Sequence, residues 1–311
     1  MRELAFRMGP MLQVIGVMAC VGDSWVVAAQ SVSDSAVLVT VNGAPIHQSE
    51  LELQMMMRQI PAQDRSRYQR AIIEQLVDQQ LVRVHLQRSA AQVNPKLMER
   101  QMAQIQQLIR RRGGDPIEVL KTLGLDEAGL KRALSLPLTW QAHMRATITS
   151  DQLRSYFTKH RARFDGTRVR AAQILIAAKT PEQRSTAVRQ LAEIRSKVQD
   201  GRLTFERAVA LHSQAPSRKQ QGDVGFFTYQ GKMPLSFTRH AFPLKVGQMS
   251  QPFESPFGVH LCRITDRQPG TLSLEDVRSA VFKKLSDQVW SELVARLRST
   301  AKIDWAAASF E

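Results

Sequence analysis

The sequence has few cysteines, few aromatic residues and few acidic residues relative to basic ones. Its 311 residues include only Cys20 and Cys262, so a framework of several disulfides is excluded. Aromatic residues make up 6%, and we find neither zinc-finger spacing nor an RNA-binding aromatic motif. Histidines with metal-ligand spacing, a glycine-rich phosphate loop and a Ser-His-Asp arrangement are also missing. We therefore expect neither a metal nor a cofactor.

The shortage of acidic residues leaves a strong basic excess. Lys and Arg number 43 against 28 Asp and Glu, which gives a formal charge of +15. This balance is compatible with nucleic acid, anionic lipid or acidic polypeptide as a partner and does not choose among them. The longest basic block is Arg110–Arg112, at the end of a predicted helix, where cations suit the helix dipole. We expect no nucleic-acid partner.

The first 30 residues have the pattern of an export signal. Arg2 and Arg7 precede an apolar stretch at 10–21, and Ala28-Ala29 offers small residues for cleavage. The apolar stretch is shorter than the roughly 20 residues that a spanning helix needs. Two alternatives stay open: a lipoprotein leader acylated at Cys20, and an uncleaved anchor. Each interpretation places the remainder outside the cytoplasm, in the periplasm or at the cell envelope, and the two alternatives attach it to the membrane.

Helical periodicity dominates residues 36–165. One apolar stripe has spacings of three and four residues: Ile72, Ile73, Leu76, Val77, Leu81 and Val84. Gly113-Gly114 ends another predicted helix, and Asp115-Pro116 begins the next as cap and first-turn proline. The methionines at 55–57, 98 and 102 either line a soft binding groove or belong to the helix core. We predict a mostly α-helical domain here.

The pattern changes over residues 166–270. A strand is predicted at 169–176, helices at 183–199 and after Thr204, glycine turns at 222–231, and a closing strand at 259–264. This order predicts a compact α+β domain. Residues 271–305 then form a long helix whose apolar stripe needs a partner surface.

Five segments of the second domain together resemble the parvulin, or PpiC-type, rotamase family. They are VRAAQILI at 169–176, FERAVALHS at 205–213, QGDVGFF at 221–227, GKMPLSF at 231–237 and AFPLKVGQMSQPFESPFGVHLCRI at 241–264. VNGAPIHQSELE at 41–52 and the last helix are similar to SurA-like and PrsA-like chaperones. The resemblance implies an antiparallel sheet with surrounding helices, and a helical domain completed by the C-terminal helix.

The resemblance also implies site residues. His260 matches the second of two family histidines, and the first falls on Gln173. The family's Asp or Cys falls on Ala215. The residues expected to hold a prolyl ring are Val224, Phe227, Met233 and Phe237. Without the resemblance, the residues alone favour an ordinary strand histidine at 260 and plain core for the four apolar residues.

Two functions from different classes remain open at this point. The first is a peptidyl-prolyl isomerase and chaperone that acts on unfolded, proline-containing exported polypeptides. The second is a chaperone or assembly factor, in an export system for example, whose rotamase domain only binds peptide. The retained His260 favours the first, whereas Gln173 and Ala215 favour the second or a reduced activity.

Overall fold

A computed structural model describes residues 36–58, 60–87, 94–111, 113–122 and 126–306. The predicted leader at 1–30 lies outside these residues. The described chain divides into two compact units. One is Ser150–Lys283, and the other combines residues 36–149 with 284–306. The first unit begins at Ser150, ahead of the boundary at 166 that the sequence suggests.

The unit formed by 36–149 and 284–306 is mostly helical. Its strands are β1 (Val37–Val41), β2 (Ala44–His47) and β7 (Ile303–Trp305), in the antiparallel order β2-β1-β7. Its helices are α1 (Gln48–Met57), α2 (Arg65–Leu86), α3 (Pro95–Arg111), α4 (Pro116–Thr122), α5 (Glu127–Thr147) and the later part of α10 (Leu274–Arg298).

The second half of α10 packs against the helical unit through polar and aromatic contacts. The Arg298 guanidinium pairs with Glu74 at 2.7 Å and with Asp78 at 2.5 Å, both on α2. Trp140 of α5 donates its indole N–H to Ser286 at 2.9 Å and meets Trp290 edge to face. The predicted completion of this unit by the last helix is therefore confirmed.

The unit Ser150–Lys283 is an antiparallel sheet with helices on both faces. The elements of this unit are α6 (Ser150–Lys159), β3 (Arg168–Ile176), α7 (Pro181–Gln199), α8 (Phe205–His212), β4 (Asp223–Phe227), α9 (Leu235–Ala241), β5 (Phe253–Ser255), β6 (Gly258–Gln268) and the start of α10. The sheet has the strand order β4-β3-β6-β5. Thr180 caps α7 through a capping box with Gln183, which explains where that helix begins.

Alternation along the central strands separates two apolar clusters. Ile174 and Leu261 face a cluster shared with α7 and α8. Cys262 and Ile264 face the opposite cluster, which contains phenylalanines from β4, α9 and β5. Successive residues on one strand point to opposite faces of the sheet. Gln173 precedes Ile174 and His260 precedes Leu261, so both lie on the face of the phenylalanine cluster. The functional candidates are thus placed on the face away from α7 and α8.

The α+β fold class and its antiparallel sheet are confirmed, and the strand-helix order is close to the one predicted. The sequence patterns missed β5 and β7, which have three residues each. They also predicted glycine turns over 222–231, where the structure has the strand β4. Met55, Met98 and Met102 are buried in core clusters, as the core interpretation expects. In the part of the chain that the structure describes, we find no helix with the length and apolar character needed to cross a membrane.

Candidate active site

His260 lies on β6, in the unit Ser150–Lys283. It faces Leu175 of β3 on one side and Phe253 of β5 on the other. Gly258, at the turn from β5 to β6, has φ +138°, a conformation that glycine adopts readily. A Cβ at this position would lie 2.2 Å from the Ile176 carbonyl oxygen, so the close approach of the two chains requires glycine. His260 is only 5% exposed, so its ring is enclosed by neighbours.

Both ring nitrogens of His260 have hydrogen-bond partners. Nδ1 lies 2.9 Å from Oε1 of Gln173, and Nε2 lies 2.6 Å from Oγ of Ser255. Because an amide oxygen can only accept, Nδ1 carries the proton and Nε2 accepts from the serine hydroxyl. The Phe257 N–H in turn donates to the same hydroxyl oxygen at 3.0 Å. The imidazole is therefore held in one tautomer and one orientation.

Aromatic rings enclose the imidazole. Phe253 stacks on His260 with centroids 5.3 Å apart and an interplanar angle of 12°. His240 stacks on Phe253 at 4.4 Å, so three nearly parallel rings follow one another. Phe237 meets His260 edge to face at 5.7 Å. These rings exclude water from most of the imidazole surface.

Burial decides the charge of this histidine. Desolvation lowers the pKa of His260 from its usual value of 6.5 to about 4. The imidazole is accordingly neutral at physiological pH. Burial also raises the pKa of the neighbouring Cys262 thiol to about 11, so that side chain behaves as a small apolar residue.

The structure brings the four predicted proline-binding residues together in the cluster on His260's side of the sheet. Phe227 and Phe237 are 3% and 1% exposed and meet edge to face at 5.7 Å. Val224 and Met233 are only partly buried against the same cluster. The phenylalanines therefore form the base of the cluster, and Val224 and Met233 form its accessible rim.

The two residues that depart from the family pattern differ in what they contribute. Gln173 is 8% exposed and contacts His260 directly. Its backbone N–H donates to the Gly222 carbonyl at 2.9 Å. Ala215 is buried at the start of a short 3-10 turn, and its own N–H donates to Ser213 Oγ at 3.3 Å. A methyl side chain neither donates nor accepts, so Ala215 offers the site no polar group.

Sequence reasoning did not single out Ser255 or Phe253. Both stand in the segment QPFESPFGVHL, close before His260, and a two-residue alternation would have placed Phe253 and Ser255 on one face. Within the described residues, no group of three histidine, cysteine or acidic side chains is placed to bind a metal ion.

Comparison with known proteins identifies the family that this unit matches. Residues 174–266 match the family described as "Rotamase: PPIC-type PPIASE domain". This segment is a PpiC-type peptidyl-prolyl isomerase domain. The match begins at Ile174, near the end of β3, and ends on β6. It includes His260 and starts one residue after Gln173. We call it the rotamase domain below.

Similar proteins extend beyond the rotamase domain. Foldase protein PrsA 2 from Bacillus anthracis is 23% identical over 259 residues, which cover 82% of this chain and 78% of that protein. Chaperone SurA from Bordetella avium is 31% identical over 142 residues, covering 44% of this chain and 28% of that protein. A crystal structure of peptidylprolyl isomerase PrsA from Bacillus anthracis matches with a TM-score of 0.44 at 20% identity. The match covers 73% of this chain and 96% of that one.

Proposed function

We propose that this chain is a peptidyl-prolyl isomerase and chaperone that acts on unfolded exported polypeptides. The observation that carries the catalytic part is the neutral His260, enclosed by Phe237 and Phe253 and held at both ring nitrogens. The match of residues 174–266 to the rotamase family supports the same assignment. The similarity to PrsA and SurA, named a foldase and a chaperone, supports the wider role.

The proposed chemistry needs neither nucleophile nor cofactor. Resonance gives an X-Pro bond a rotation barrier of about 18–20 kcal/mol. A catalyst lowers this barrier when it binds the twisted amide more tightly than the planar one. Val224 and Met233 at the rim would receive the prolyl ring, above Phe227 and Phe237. Apolar surroundings also favour the twisted amide, which is less polar than the planar, resonance-stabilised form.

The residues that contact His260 would act by positioning it. Gln173 and Ser255 fix the tautomer and the plane of the ring, so little reorganisation is needed when a peptide binds. Neither residue needs to titrate, because isomerisation transfers no net proton. Replacement of a family histidine by Gln173 is therefore compatible with activity, at a rate that we expect to be reduced.

A protease-coupled assay on a proline-containing tetrapeptide tests the isomerase. We expect a rate above the uncatalysed one, a loss of roughly ten-fold to a hundred-fold for His260→Ala, and a gain for Gln173→His. His212→Ala, at the end of α8, is the matched control and should retain the parental rate. If the parental chain shows no rate above background while it still suppresses aggregation of an unfolded protein, it is a peptide-binding chaperone and not an isomerase.

The proposed function includes export of the chain from the cytoplasm. The relatives' names and the signal-like residues 1–30 support export to the periplasm or cell envelope. Mass spectrometry of the mature N-terminus separates the three leader interpretations: a start near residue 30, an acylated Cys20, or an intact N-terminus. Recovery of the unprocessed chain from the cytoplasmic fraction would contradict export.

A further inference from the structure

The helical unit contains a cleft of about 1390 Å³ that the rotamase domain does not share. It is bounded by α1, α2, α4 and α5, with one residue from α3. Apolar side chains lie beside a series of amides: Gln54, Gln79, Gln80, Gln87 and Gln106. Amide side chains both donate and accept hydrogen bonds, as a polypeptide backbone does. A cleft of this composition suits an extended peptide.

Arg83 of α2 lines this cleft without a full set of partners. Its Nη1 donates to Gln80 at 2.7 Å, but its Nε is buried and has no hydrogen-bond partner. In the described parts of the chain it forms no ion pair. Arg298 in the same unit is different, because it contacts two carboxylates. Buried polar atoms in folded proteins are almost always paired, so an unpaired guanidinium N–H in a cleft indicates a missing partner.

A second cation and an acid of the cleft also act on Arg83. Arg132 of α5 lines the same cleft. Burial of Arg83 lowers the pKa of its own guanidinium, and the charge of Arg132 lowers it further. The charge of Glu50 raises the same pKa, by more than Arg132 lowers it. Glu50 nevertheless forms no hydrogen bond or ion pair with Arg83, and its Oε1 accepts the His47 N–H at 3.4 Å. His47 also lines the cleft, and its Nδ1 is buried without a partner.

The remaining charges of the cleft do not provide that partner. Asp126 accepts the Gly129 N–H at 2.6 Å and so caps α5. Glu127 is exposed on the first turn of α5, and Lys121 adds a third cation. Two guanidiniums from different helices thus line one cleft, and in the described residues none of the three acids there forms an ion pair with either of them.

We propose that this cleft binds a carboxylate of an extended client polypeptide, with Arg83 and Arg132 as the residues that hold it. That the ligand is a polypeptide rests on the proposed chaperone function; the carboxylate is inferred from the two arginines. Guanidinium groups bind carboxylates through paired, charge-assisted hydrogen bonds, which also fix orientation. The carboxylate belongs either to an acidic side chain or to the end of a chain, and the test separates the two.

Fluorescence anisotropy on the full chain tests the proposal with labelled, proline-free, leucine-rich peptides, which do not require the rotamase pocket. Four peptides are compared: an internal Glu or Gln, each with a free or an amidated C-terminus. We expect the carboxylate-bearing peptides to bind about ten-fold more tightly than the fully neutral one. Preference for internal Glu identifies a side-chain carboxylate, and preference for the free C-terminus identifies a chain end.

Variants link the preference to the cleft. Arg132→Gln and Arg83→Gln should each remove most of the carboxylate preference, and Arg83→Lys should retain part of it. Lys131→Gln is the matched control, because it removes a charge beside Arg132 but does not line the cleft. Arg132 is exposed, so its variant is expected to fold even if the half-buried Arg83 tolerates substitution poorly; thermal unfolding checks both.

The outcomes separate this proposal from the broader function. Equal binding of all four peptides, or equal losses in Lys131→Gln and Arg132→Gln, overturns the carboxylate proposal and leaves the chaperone function intact. If no peptide binds the parental chain at all, polypeptide binding by this unit is contradicted, and the carboxylate proposal falls with it.

Discussion

The carboxamide oxygen of Gln173 lies 2.9 Å from Nδ1 of His260, where the parvulin pattern places a second histidine. A neutral acceptor therefore takes the position of a titratable ring. It fixes the tautomer of His260 without bringing a charge close to it. His260 is then the single titratable ring of this hydrogen-bonded pair, and burial sets its charge, since desolvation is the cause of its lowered pKa.

Gln173→Glu is expected to reverse this electrostatic state. A carboxylate next to Nδ1 favours the imidazolium and should raise the pKa of His260 by about 1 to 3 pH units above its value of about 4. Nitrogen-detected NMR titration of the imidazole measures the shift. Gln214→Glu is the control, because that exposed amide contacts the Ala177 N–H and should leave the pKa of His260 unchanged.

Ser255→Ala tests the other side of the ring. The change leaves Nε2 of His260 and the Phe257 N–H without their shared partner, and a buried unsatisfied polar group costs about 1–3 kcal/mol. We expect a lower free energy of unfolding in urea and a reduced isomerase rate. Ser255→Thr keeps the hydroxyl and should preserve most of both. An alanine variant with parental rate and stability would show that the serine does not position the ring.

Motif order predicted the rotamase domain well because each matching segment coincides with a strand, helix or turn of the sheet. The glycine turn signal at 222 reflects a real constraint: Gly222 has φ +85°, and a Cβ there would lie 2.6 Å from the Gln173 carbonyl oxygen. The rings around His260 were predicted less completely. Phe253 on β5 is paired with His260 on the adjacent strand β6, and this pairing depends on the register of the two strands.

The helical unit shows a different limit of sequence reasoning. Periodicity located α2 and the last helix because their apolar stripes are long. β7 was missed because three residues carry no usable period, and its pairing with β1 joins segments more than 250 residues apart in sequence. Arg83 gave no signal either, since an arginine on a helix is normally solvated; its unpaired Nε is visible only in three dimensions.

The charge state of His260 also predicts how stability depends on pH. Its pKa is about 4 in the folded chain and near 6.5 when the chain is unfolded, so the unfolded state binds more protons between these values. Stability therefore falls as pH drops from about 6.5 to about 4, by up to about 3 kcal/mol from this group alone. Urea unfolding at several pH values measures the slope. His260→Gln should flatten it, and an unchanged slope would mean that another group is responsible.

Arg298→Ala is expected to weaken the attachment of α10 to α2. Glu74 and Asp78 would then lie close together without their shared cation, and burial already raises the pKa of Asp78. Partly buried carboxylates that lose their partner are destabilising, and we expect a loss of about 1–3 kcal/mol in the free energy of unfolding. Asp78→Asn added to Arg298→Ala should recover part of this loss, because it removes the repulsion between the two acids.

If Arg298→Ala is as stable as the parental chain in urea, the ion pairs contribute nothing net, as is common for exposed pairs. Arg296→Ala, two residues earlier on the same helix, is the control for removing an arginine from this helix end.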